Sequence, residues 1–404
     1  INTNTIKHSR SALNSIVRFE AHDSVTSAAR FLRYVNEDGK TSLRLRIDQM
    51  PEPIYHAKFV ERPGLYDPNG VSIESDSPYR KGYFLVRNSD NSITLAQNDG
   101  TESFARRATF YKVSGLNDSN HSSYQVYDDP TRYICHSNNG LRAEVVSDYN
   151  SRGRATWKVR AENSPKLGDR FDGSSLDTSK WRKGYVWGDS HNYSAVVRDS
   201  QVVVDGGELI LKAERVNSIQ NSKGEWGYWN NIKGRWTSYK FKTGAVSGVS
   251  TSGWNYTLFN GDVYLEGSFK LPSEYGFWPA FWLNCKDDWP PEIDIFEYLT
   301  DNPRYMYTVF HIKTNGQDNS RTEKYHVGEI WKDYHKFALD WNSEYVAVYF
   351  DDHVAFYNND KNYIKGFYNL YTIINLGVGG WAEEPSGSTN YAEMKVKYIR
   401  SFDY

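Results

Sequence analysis

Residues 289–297 read WPPEIDIFE and bring three carboxylic acids, Glu292, Asp294 and Glu297, close together in the sequence. The residues between them are apolar and mostly strand-forming, so we predict a β-strand. Side chains alternate between the two faces of a strand, which places Glu292 and Asp294 on one face. Strict alternation would put Phe296 on that face, and one extra residue, a β-bulge, returns Glu297 to it. The stretch therefore predicts three acids that face one cleft.

Crowding three carboxyl groups is unfavourable, because burial and like charges raise their pKa values, and few structural roles justify it. Hydrolysis of a glycosidic bond requires two carboxyl groups that are held close together. One carboxylate attacks the anomeric carbon, while the other, kept protonated, protonates the leaving oxygen. An acidic edge strand or a cation site is the alternative interpretation. Residues 276–283, which read GFWPAFWL, come just before and supply aromatic rings for stacking on sugars, so together the two segments favour a glycosidase.

Residues 276–299 resemble the signature of glycoside hydrolase family 16 in its bulged Glu-x-Asp-x-x-Glu form, within a resemblance that covers residues 168–404. The resemblance implies a β-jelly roll, two curved antiparallel sheets with a concave substrate cleft. It also implies retention, with Glu292 as nucleophile and Glu297 as general acid/base. Asp294 would hydrogen-bond the nucleophile and help to set its protonation state. Other segments resemble strands of the family in order: Ser194–Asp199, Gly207–Ala213, Thr243–Ser247, Gly261–Gly267, Leu370–Gly380 and Met394–Arg400.

The first part of the chain repeats one pattern three times. Its closing aromatic residues Phe59, Phe110 and Trp157 are spaced by 51 and 47 residues. Three units, each too small to bury its own apolar face, predict a β-trefoil. The repeats resemble the carbohydrate-binding domain of arabinofuranosidase B-type enzymes over residues 14–162.

Length and composition fit two all-β domains. The chain has 404 residues, and its pattern changes near residues 163–168, so we predict a trefoil at 1–165 and a jelly-roll sandwich at 166–404. A net charge of -2 gives no field that favours nucleic acid, and no 18-residue apolar run suggests a membrane span. The two cysteines, Cys135 and Cys285, fall in different domains, so we expect buried free thiols and no metal site.

The expected partner of the chain is a polysaccharide, bound by a monomer. We expect a secreted or cell-surface protein, since the sequence begins at Ile1 without a start Met. No cofactor is implied. A structural Ca²⁺ held by loop carboxylates and carbonyls is left open.

The trefoil-like repeats depart from the pattern of the domain that they resemble. In that domain, histidine and aspartate side chains help to hold arabinose, but here only His136 keeps the histidine. The aspartate positions hold His56, Arg107 and Arg154. A functional interpretation is that Arg107 and Arg154 bind an anionic glycan, because guanidinium pairs bidentately with sulfate or carboxylate. The alternative is a structural spacer with ordinary surface arginines.

Several further residues are candidates for contact with sugar. His311 ends a strand that we expect beside the acidic one, and strand parity turns it toward the cleft, in a supporting role. Trp278 and Trp282 are candidates for stacking, with core packing as the alternative for one of them. The remaining candidates are Trp181, Trp187 and His191 before the first strands, Trp229 in an aromatic loop that could also form its own small core, and Trp381 at a cleft end.

The substrate is the least determined property. An algal galactan of the agar, porphyran, carrageenan or furcellaran type is favoured, because basic residues in the trefoil and in Lys313–Lys324 would suit sulfate. An endo-β-1,3- or β-1,3-1,4-glucanase is the close alternative, since residues 276–292 resemble glucanase-like members. A transglycosylase would use the same acids, and a non-catalytic lectin would be expected to lack one of them.

Overall fold

The computed structural model describes residues 14–22, 29–137, 140–162 and 165–402. These residues group into two compact units, one that runs to Pro165 and includes Phe402, and one from Lys166 to Ser401. Strands dominate both units, so the predicted all-β class is confirmed. Among the described residues, no helix has the length and apolar character needed to cross a bilayer.

The N-terminal unit consists of short antiparallel strands with a brief helix before two of its closing strands. The strands are β1 (Ile16–Ala21), β2 (Phe31–Tyr34), β3 (Ser42–Leu43), β4 (Leu45–Asp48), β5 (Phe59–Pro63), β6 (Val71–Ser75), β7 (Tyr83–Arg87), β8 (Ser92–Gln97), β9 (Phe110–Ser114), β10 (Ser122–Val126), β11 (Arg132–Ser137), β12 (Gly140–Val145) and β13 (Trp157–Ala161), and the helices are α1 (Glu102–Arg107) and α2 (Tyr149–Arg154).

Strand pairing in this unit repeats with the sequence pattern. Strands β1, β5, β6, β9, β10 and β13 pair in a closed ring. Each repeat also contributes a hairpin, namely β2–β4, β7–β8 and β11–β12. The closing aromatics Phe59, Phe110 and Trp157 are buried in one shared core. The three-fold repeat is therefore a structural repeat, in which each unit contributes one aromatic residue to a common interior.

The C-terminal unit contains longer strands. They are β14 (Gly168–Asp169), β15 (Arg182–Lys183), β16 (Ala195–Val197), β17 (Val202–Asp205), β18 (Glu208–Arg215), β19 (Gly227–Asn230), β20 (Arg235–Ser238), β21 (Phe241–Thr243), β22 (Ala245–Ser247), β23 (Val263–Lys270), β24 (Phe277–Cys285), β25 (Glu292–Glu297), β26 (Tyr305–Thr314), β27 (Gln317–His326), β28 (His335–Trp341), β29 (Val346–Phe350), β30 (His353–Asn358), β31 (Leu370–Val378) and β32 (Tyr391–Phe402), with one helix, α3 (Lys361–Ile364).

Two layers of sheet enclose the core of this unit. A seven-stranded sheet has the order β15-β22-β31-β24-β25-β26-β27, and a ten-stranded sheet carries β23 and β28 at its centre. Between them, the ring of Phe296 on β25 lies 5.0 Å from Phe269 on β23 and 4.5 Å from Phe337 on β28. The acidic strand therefore buries its apolar side chains between the sheets and is an interior strand of the seven-stranded sheet, between β24 and β26. Cys135 and Cys285 are buried free thiols, as predicted.

Candidate active site

A β-bulge in β25 places the three acids on one face of the sheet. Glu292 pairs with Asn284 of β24 and Glu297 with Ala280, so the register with β24 shifts by one residue. The same shift appears against β26, between Asp294 and Glu297. Ile295 and Phe296 are both fully buried on the opposite side. The predicted bulge is confirmed, and its physical consequence is that Glu297 lies on the same face as Glu292 and Asp294.

An indole N–H donates to each of the two glutamates. Nε1 of Trp278 lies 3.2 Å from Oε1 of Glu297, and Nε1 of Trp289 lies 2.9 Å from Oε2 of Glu292. Trp278 on β24 is only partly buried, and Trp289, just before β25, is half exposed. Each carboxyl group therefore has a fixed orientation and keeps one oxygen directed away from its indole partner.

His311 on β26 joins the acids from the neighbouring strand. Its Nε2 lies 3.5 Å from Oδ2 of Asp294 and 3.7 Å from Oε1 of Glu292. Its Nδ1 lies 2.9 Å from Oδ2 of Asp318 on β27. The ring is thus held between an outer carboxylate and two inner ones, which orients it and favours its charged form.

Burial and mutual charge shift the pKa values of the whole cluster. Burial, and next the charge of Glu292, raise the pKa of Glu297 to about 8. Burial and the charge of Glu297 raise the pKa of Asp294 to about 6. Burial and Asp294 raise the pKa of Glu292 well above its usual range, while His311 and Trp289 oppose that rise. Glu297 therefore keeps its proton at neutral pH, as a general acid requires.

Burial alone would lower the pKa of His311. Hydrogen bonding and charge from Asp294, together with the charge of Glu292 and a bond to Asp318, outweigh burial and raise that pKa to about 10. His311 is thus an imidazolium at neutral pH. Its positive charge stabilises negative charge on the acids that it faces.

The acids form one wall of a cleft with about 300 Å³ of open space, which aromatic side chains also line. Trp282 is 5% exposed, and its Nε1 donates to Oδ1 of Asn375 on β31 across 2.7 Å. The ring of His191 lies parallel to Trp282 at 5.6 Å, and burial lowers its pKa to about 4, so it is neutral. Tyr193 also lines the cleft. A narrow cleft with acids on one side and aromatic rings on the other suits a sugar ring.

Comparison with known families shows to which family the chain belongs. The family model described as glycosyl hydrolases family 16 matches residues 190–400, which is more than half of the chain. The chain belongs to this family. A second model, described as alpha-L-arabinofuranosidase B (ABFB) domain, matches residues 22–159. Both sequence resemblances are confirmed, and the acids of β25 lie within the part matched by family 16.

Individual relatives of this family 16 chain are distant. It is 28% identical over 173 residues to the endo-1,3-1,4-beta-glycanase EglC of Rhizobium meliloti (strain 1021), an alignment that covers 42% of this chain and 35% of that protein. It is 27% identical over 236 residues to a galactan endo-beta-1,3-galactanase of Flammulina velutipes, covering 55% of this chain and 85% of that protein. The chain thus spans about a third of the length of the first relative.

Solved structures also match the family 16 chain. An endo-beta-1,3-glucanase from Pyrococcus furiosus is 22% identical, with a TM-score of 0.49, and the match covers 61% of this chain and 95% of that chain. A laminarinase catalytic domain from Thermotoga petrophila RKU-1 is 21% identical, with a TM-score of 0.48, over 59% of this chain and 97% of that chain.

The structure brings most of the predicted aromatic residues to the cleft of the family 16 chain. Trp187 lies at its edge, stacked on Tyr185 at 4.6 Å, with its ring 6.2 Å from Trp282. Trp381 follows β31 and contacts Trp278 edge-on, with ring centroids 6.1 Å apart. Trp229 lies on the β19–β20 hairpin, outside the cleft itself.

The prediction that Trp181 contacts sugar is wrong. Trp181 is fully buried, and its Nε1 donates to Oδ2 of Asp169 at 3.0 Å. Its ring packs against Phe171, so it belongs to the core and has no surface to offer a sugar. Its neighbour Trp187, six residues later, is the one that reaches the cleft edge.

The predicted residues of the trefoil-like repeats have contacts within their own domain. His136 is buried and packs edge-on against Trp157 at 5.6 Å. Arg107 donates to the backbone oxygen of Arg87 at 3.1 Å. Arg154 pairs with Glu144 at 2.7 Å, which partly neutralises its charge. The described contacts thus engage both arginines within the domain itself.

Among the residues that the structure describes, two groups of side chains have the composition of a metal site. Glu292, Asp294 and His311 have ligand atoms within 4.8 Å of one another, as do the three residues of a second group, His22, Asp118 and His121. In the first group, the neighbouring carboxyl groups raise the pKa of His311 to about 10, so the group joins an imidazolium to two carboxyl groups at neutral pH.

Proposed function

We propose that this chain is an endo-acting, retaining glycoside hydrolase that cleaves internal β-linkages of a polysaccharide by double displacement. The observation that carries the proposal is the bulged strand β25, which directs Glu292, Asp294 and Glu297 into one cleft. Cleavage of internal linkages is proposed because relatives of the chain are named as endo-acting glycanases.

In the first step, Glu292 attacks the anomeric carbon and forms a glycosyl ester, while Glu297 donates its proton to the leaving oxygen. The imidazolium of His311 and the N–H of Trp289 stabilise the negative charge on Glu292 before attack. The raised pKa of Glu297 keeps its proton available at neutral pH. Burial raises the pKa of both glutamates, and the proposal assigns the ionised form to Glu292 because His311 and Trp289 oppose the rise there, while the proton stays on Glu297.

In the second step, Glu297 has lost its proton and acts as a base. It removes a proton from water, the water oxygen attacks the anomeric carbon, and the ester bond to Glu292 breaks. The product keeps the configuration of the substrate, and both glutamates regain their starting protonation states. If an acceptor sugar replaced water, the same residues would perform transglycosylation.

The proposed substrate is an algal galactan of the agar, porphyran, carrageenan or furcellaran type, the class favoured by the sequence, with a β-1,3- or β-1,3-1,4-glucan as the second candidate. The galactanase relative, aligned over 85% of its length, supports a galactan as the broader substrate class. The glycanase and glucanase relatives support the glucan. Sulfate recognition has less support, because Arg321 pairs with Asp360 at 3.0 Å and Lys313 pairs with Asp288.

The N-terminal unit is proposed to be a β-trefoil. Its closed ring of six strands and its three hairpins support this architecture. We also propose that the domain boundary lies at residue 165, where the two compact units divide.

A reducing-end assay tests the activity and the substrate together. The panel contains agarose, porphyran, κ-carrageenan, furcellaran, laminarin and lichenan, with the Glu292→Gln variant as control. Release from a galactan alone supports the first candidate, and release from laminarin or lichenan alone replaces it with the second. Equal release by the Glu292→Gln variant would contradict the proposed site. Product analysis by chromatography separates hydrolysis from transglycosylation.

Azide rescue tests the two roles individually, using an aryl glycoside whose leaving group needs no acid. In Glu292→Ala, azide takes the place of the nucleophile and gives a glycosyl azide of inverted configuration. In Glu297→Ala, azide attacks the glycosyl ester of Glu292 and gives a glycosyl azide of retained configuration. The same configuration from both variants would refute the assignment.

A further inference from the structure

The β19–β20 hairpin exposes an unusual group of tryptophans. Trp229 and Trp236 are register partners on the two strands, so their side chains lie next to each other on one face. They are 56% and 58% exposed, and Trp226, just before β19, is 55% exposed. Large aromatic side chains clustered on a surface indicate a site of interaction.

The opposite face of the hairpin anchors it to the segment 379–384. Tyr228 and Asn230 lie on this face, because side chains alternate along β19. Tyr228 stacks on Tyr239 at 6.1 Å, and Nδ2 of Asn230 donates to the backbone oxygen of Gly380 at 3.0 Å. Lys233, in the turn of the hairpin, pairs with Glu383 at 2.5 Å. The hairpin is therefore held in place from one side, and its tryptophans face outward.

The segment 379–384 contacts Trp278, the residue that is hydrogen-bonded to the proposed catalytic acid Glu297. Trp381 contacts Trp278, and Trp278 donates to Glu297. Gly380 has φ +66°, and a Cβ there would lie 2.8 Å from the ring of Trp278, so glycine is required for this approach. Aromatic side chains therefore continue from the acid, through Trp278 and Trp381, to the part of the surface that carries the hairpin.

We propose that Trp229 and Trp236 form an outer sugar-binding platform, which holds the polysaccharide chain beyond the bond that is cleaved. This inference rests on the proposed hydrolase function. Indole rings stack on the C–H faces of sugars and offer an N–H to hydroxyl groups. Lys233 pairs with Glu383, and the charge of Arg235 on β20 acts on Glu383 and Glu384, so cations and carboxyl groups balance beside the platform and an uncharged stretch of β-glycan is the occupant that the surface fits.

The platform acts on long substrates and leaves the chemistry unchanged. A polymer that reaches the hairpin gains binding energy from it, whereas a short substrate that fills only the cleft gains none. The double variant Trp229→Ala/Trp236→Ala should lose about tenfold in kcat/KM on the polymer that the enzyme cleaves best. Its kcat/KM on a short aryl glycoside should stay within about twofold of the unsubstituted enzyme.

Kinetics of the full chain on the polymer and on the aryl glycoside test this expectation. Tyr357→Ala is the matched control, because Tyr357 is a 49% exposed aromatic residue on β30, in the other sheet. Melting temperatures of both variants confirm folding. Equal losses on the polymer and on the aryl glycoside, or the same polymer loss in Tyr357→Ala, would overturn the proposal.

Binding measurements separate failure of the platform from failure of the proposed activity. In the Glu292→Gln background, electrophoresis through gels that contain each polysaccharide measures retention without cleavage. Retention that the double variant loses supports the platform, even where no substrate is hydrolysed. Retention that the double variant keeps overturns it.

Light scattering after size exclusion provides the remaining test: a dimer that becomes a monomer in the double variant would assign the tryptophans to a second copy of the chain instead.

Discussion

The indole of Trp278 donates its Nε1–H to Oε1 of Glu297 across 3.2 Å, from the strand that pairs with the acidic one. A hydrogen bond from a donor stabilises the ionised form of a carboxyl group and lowers its pKa. The bond therefore opposes burial and the charge of Glu292, which together keep the proton on Glu297. Trp278 and Glu297 are thus coupled through one contact.

The first prediction concerns this contact. Trp278→Phe keeps an aromatic ring on β24 but removes the N–H, so the pKa of Glu297 should rise further. We expect the alkaline limb of the kcat/KM profile to move to higher pH, whatever happens to KM through weaker stacking. A pH profile of kcat/KM from pH 5 to 10 measures this shift. An unchanged alkaline limb would show that the bond does not act on Glu297.

A second prediction is the position of the alkaline limb itself. Glu297 must be protonated to assist the leaving group, and its pKa in the free protein is about 8. As pH rises through 8 the proton is lost, so kcat/KM should fall about tenfold for each further pH unit. In Glu297→Ala, with a substrate whose leaving group needs no acid, this limb should disappear. A limb that persists in that variant must be assigned to another group.

The acidic half of the site was predictable from sequence because it depends on short-range order. Alternation along one strand and one extra residue decide which face Glu292, Asp294 and Glu297 share. The apolar residues Ile295 and Phe296 in the same stretch already indicate which side is buried. The positions of His311 and Trp278 beside the acids followed in the same way, since both lie on strands that flank the acids in the sequence.

The rest of the site depends on strands that are far apart in the sequence. Asn375 bonds Trp282 across 93 residues, and that pairing exists only once β31 lies beside β24. Trp289 could have been noticed, since it lies three residues before Glu292, but its orientation depends on the loop. Trp181 was misassigned for a related reason, because its burial depends on contacts with Asp169 and Phe171, which the residue types around it do not reveal. The sequence shows which residues alternate between the two faces of a strand. The register between paired strands decides which of their side chains are in contact.

A third prediction tests Asp318 as a positioning residue. Its carboxylate holds Nδ1 of His311 at 2.9 Å and contributes to the raised pKa of the imidazole. Asp318→Ala should free the ring and lower kcat about tenfold with little change in KM, by analogy with other outer partners of histidine. Asp318→Asn keeps an oxygen acceptor and should recover most of the loss.

The readout specific to this role is the titration of His311, followed by NMR. Removing the negative charge in Asp318→Ala should lower the pKa of His311 from about 10, because Asp318 is one of the groups that raise it. A loss of activity with an unchanged histidine titration would mean that Asp318 acts only on the stability of β27.

The final prediction is that Glu297, the proposed catalytic acid, destabilises the fold progressively as pH rises from 4.5 to 8. Glu297 has an ordinary pKa of 4.5, which applies to the unfolded chain, and about 8 in the folded one. Between these values the folded state holds a proton that the unfolded state has released. Its contribution to stability is therefore complete below pH 4.5 and is lost as pH rises toward 8.

Glu297→Gln has no proton to lose and keeps an acceptor for the N–H of Trp278. We expect its melting temperature to exceed that of the unsubstituted protein by about 5 °C at pH 8, with the difference vanishing near pH 4.5. The exposed Glu323→Gln on β27 is the matched control and should show no such pH-dependent gain. If the melting temperature rose by the same amount at both pH values, the gain would come from packing. The burial of Glu297 would then carry no ionisation penalty.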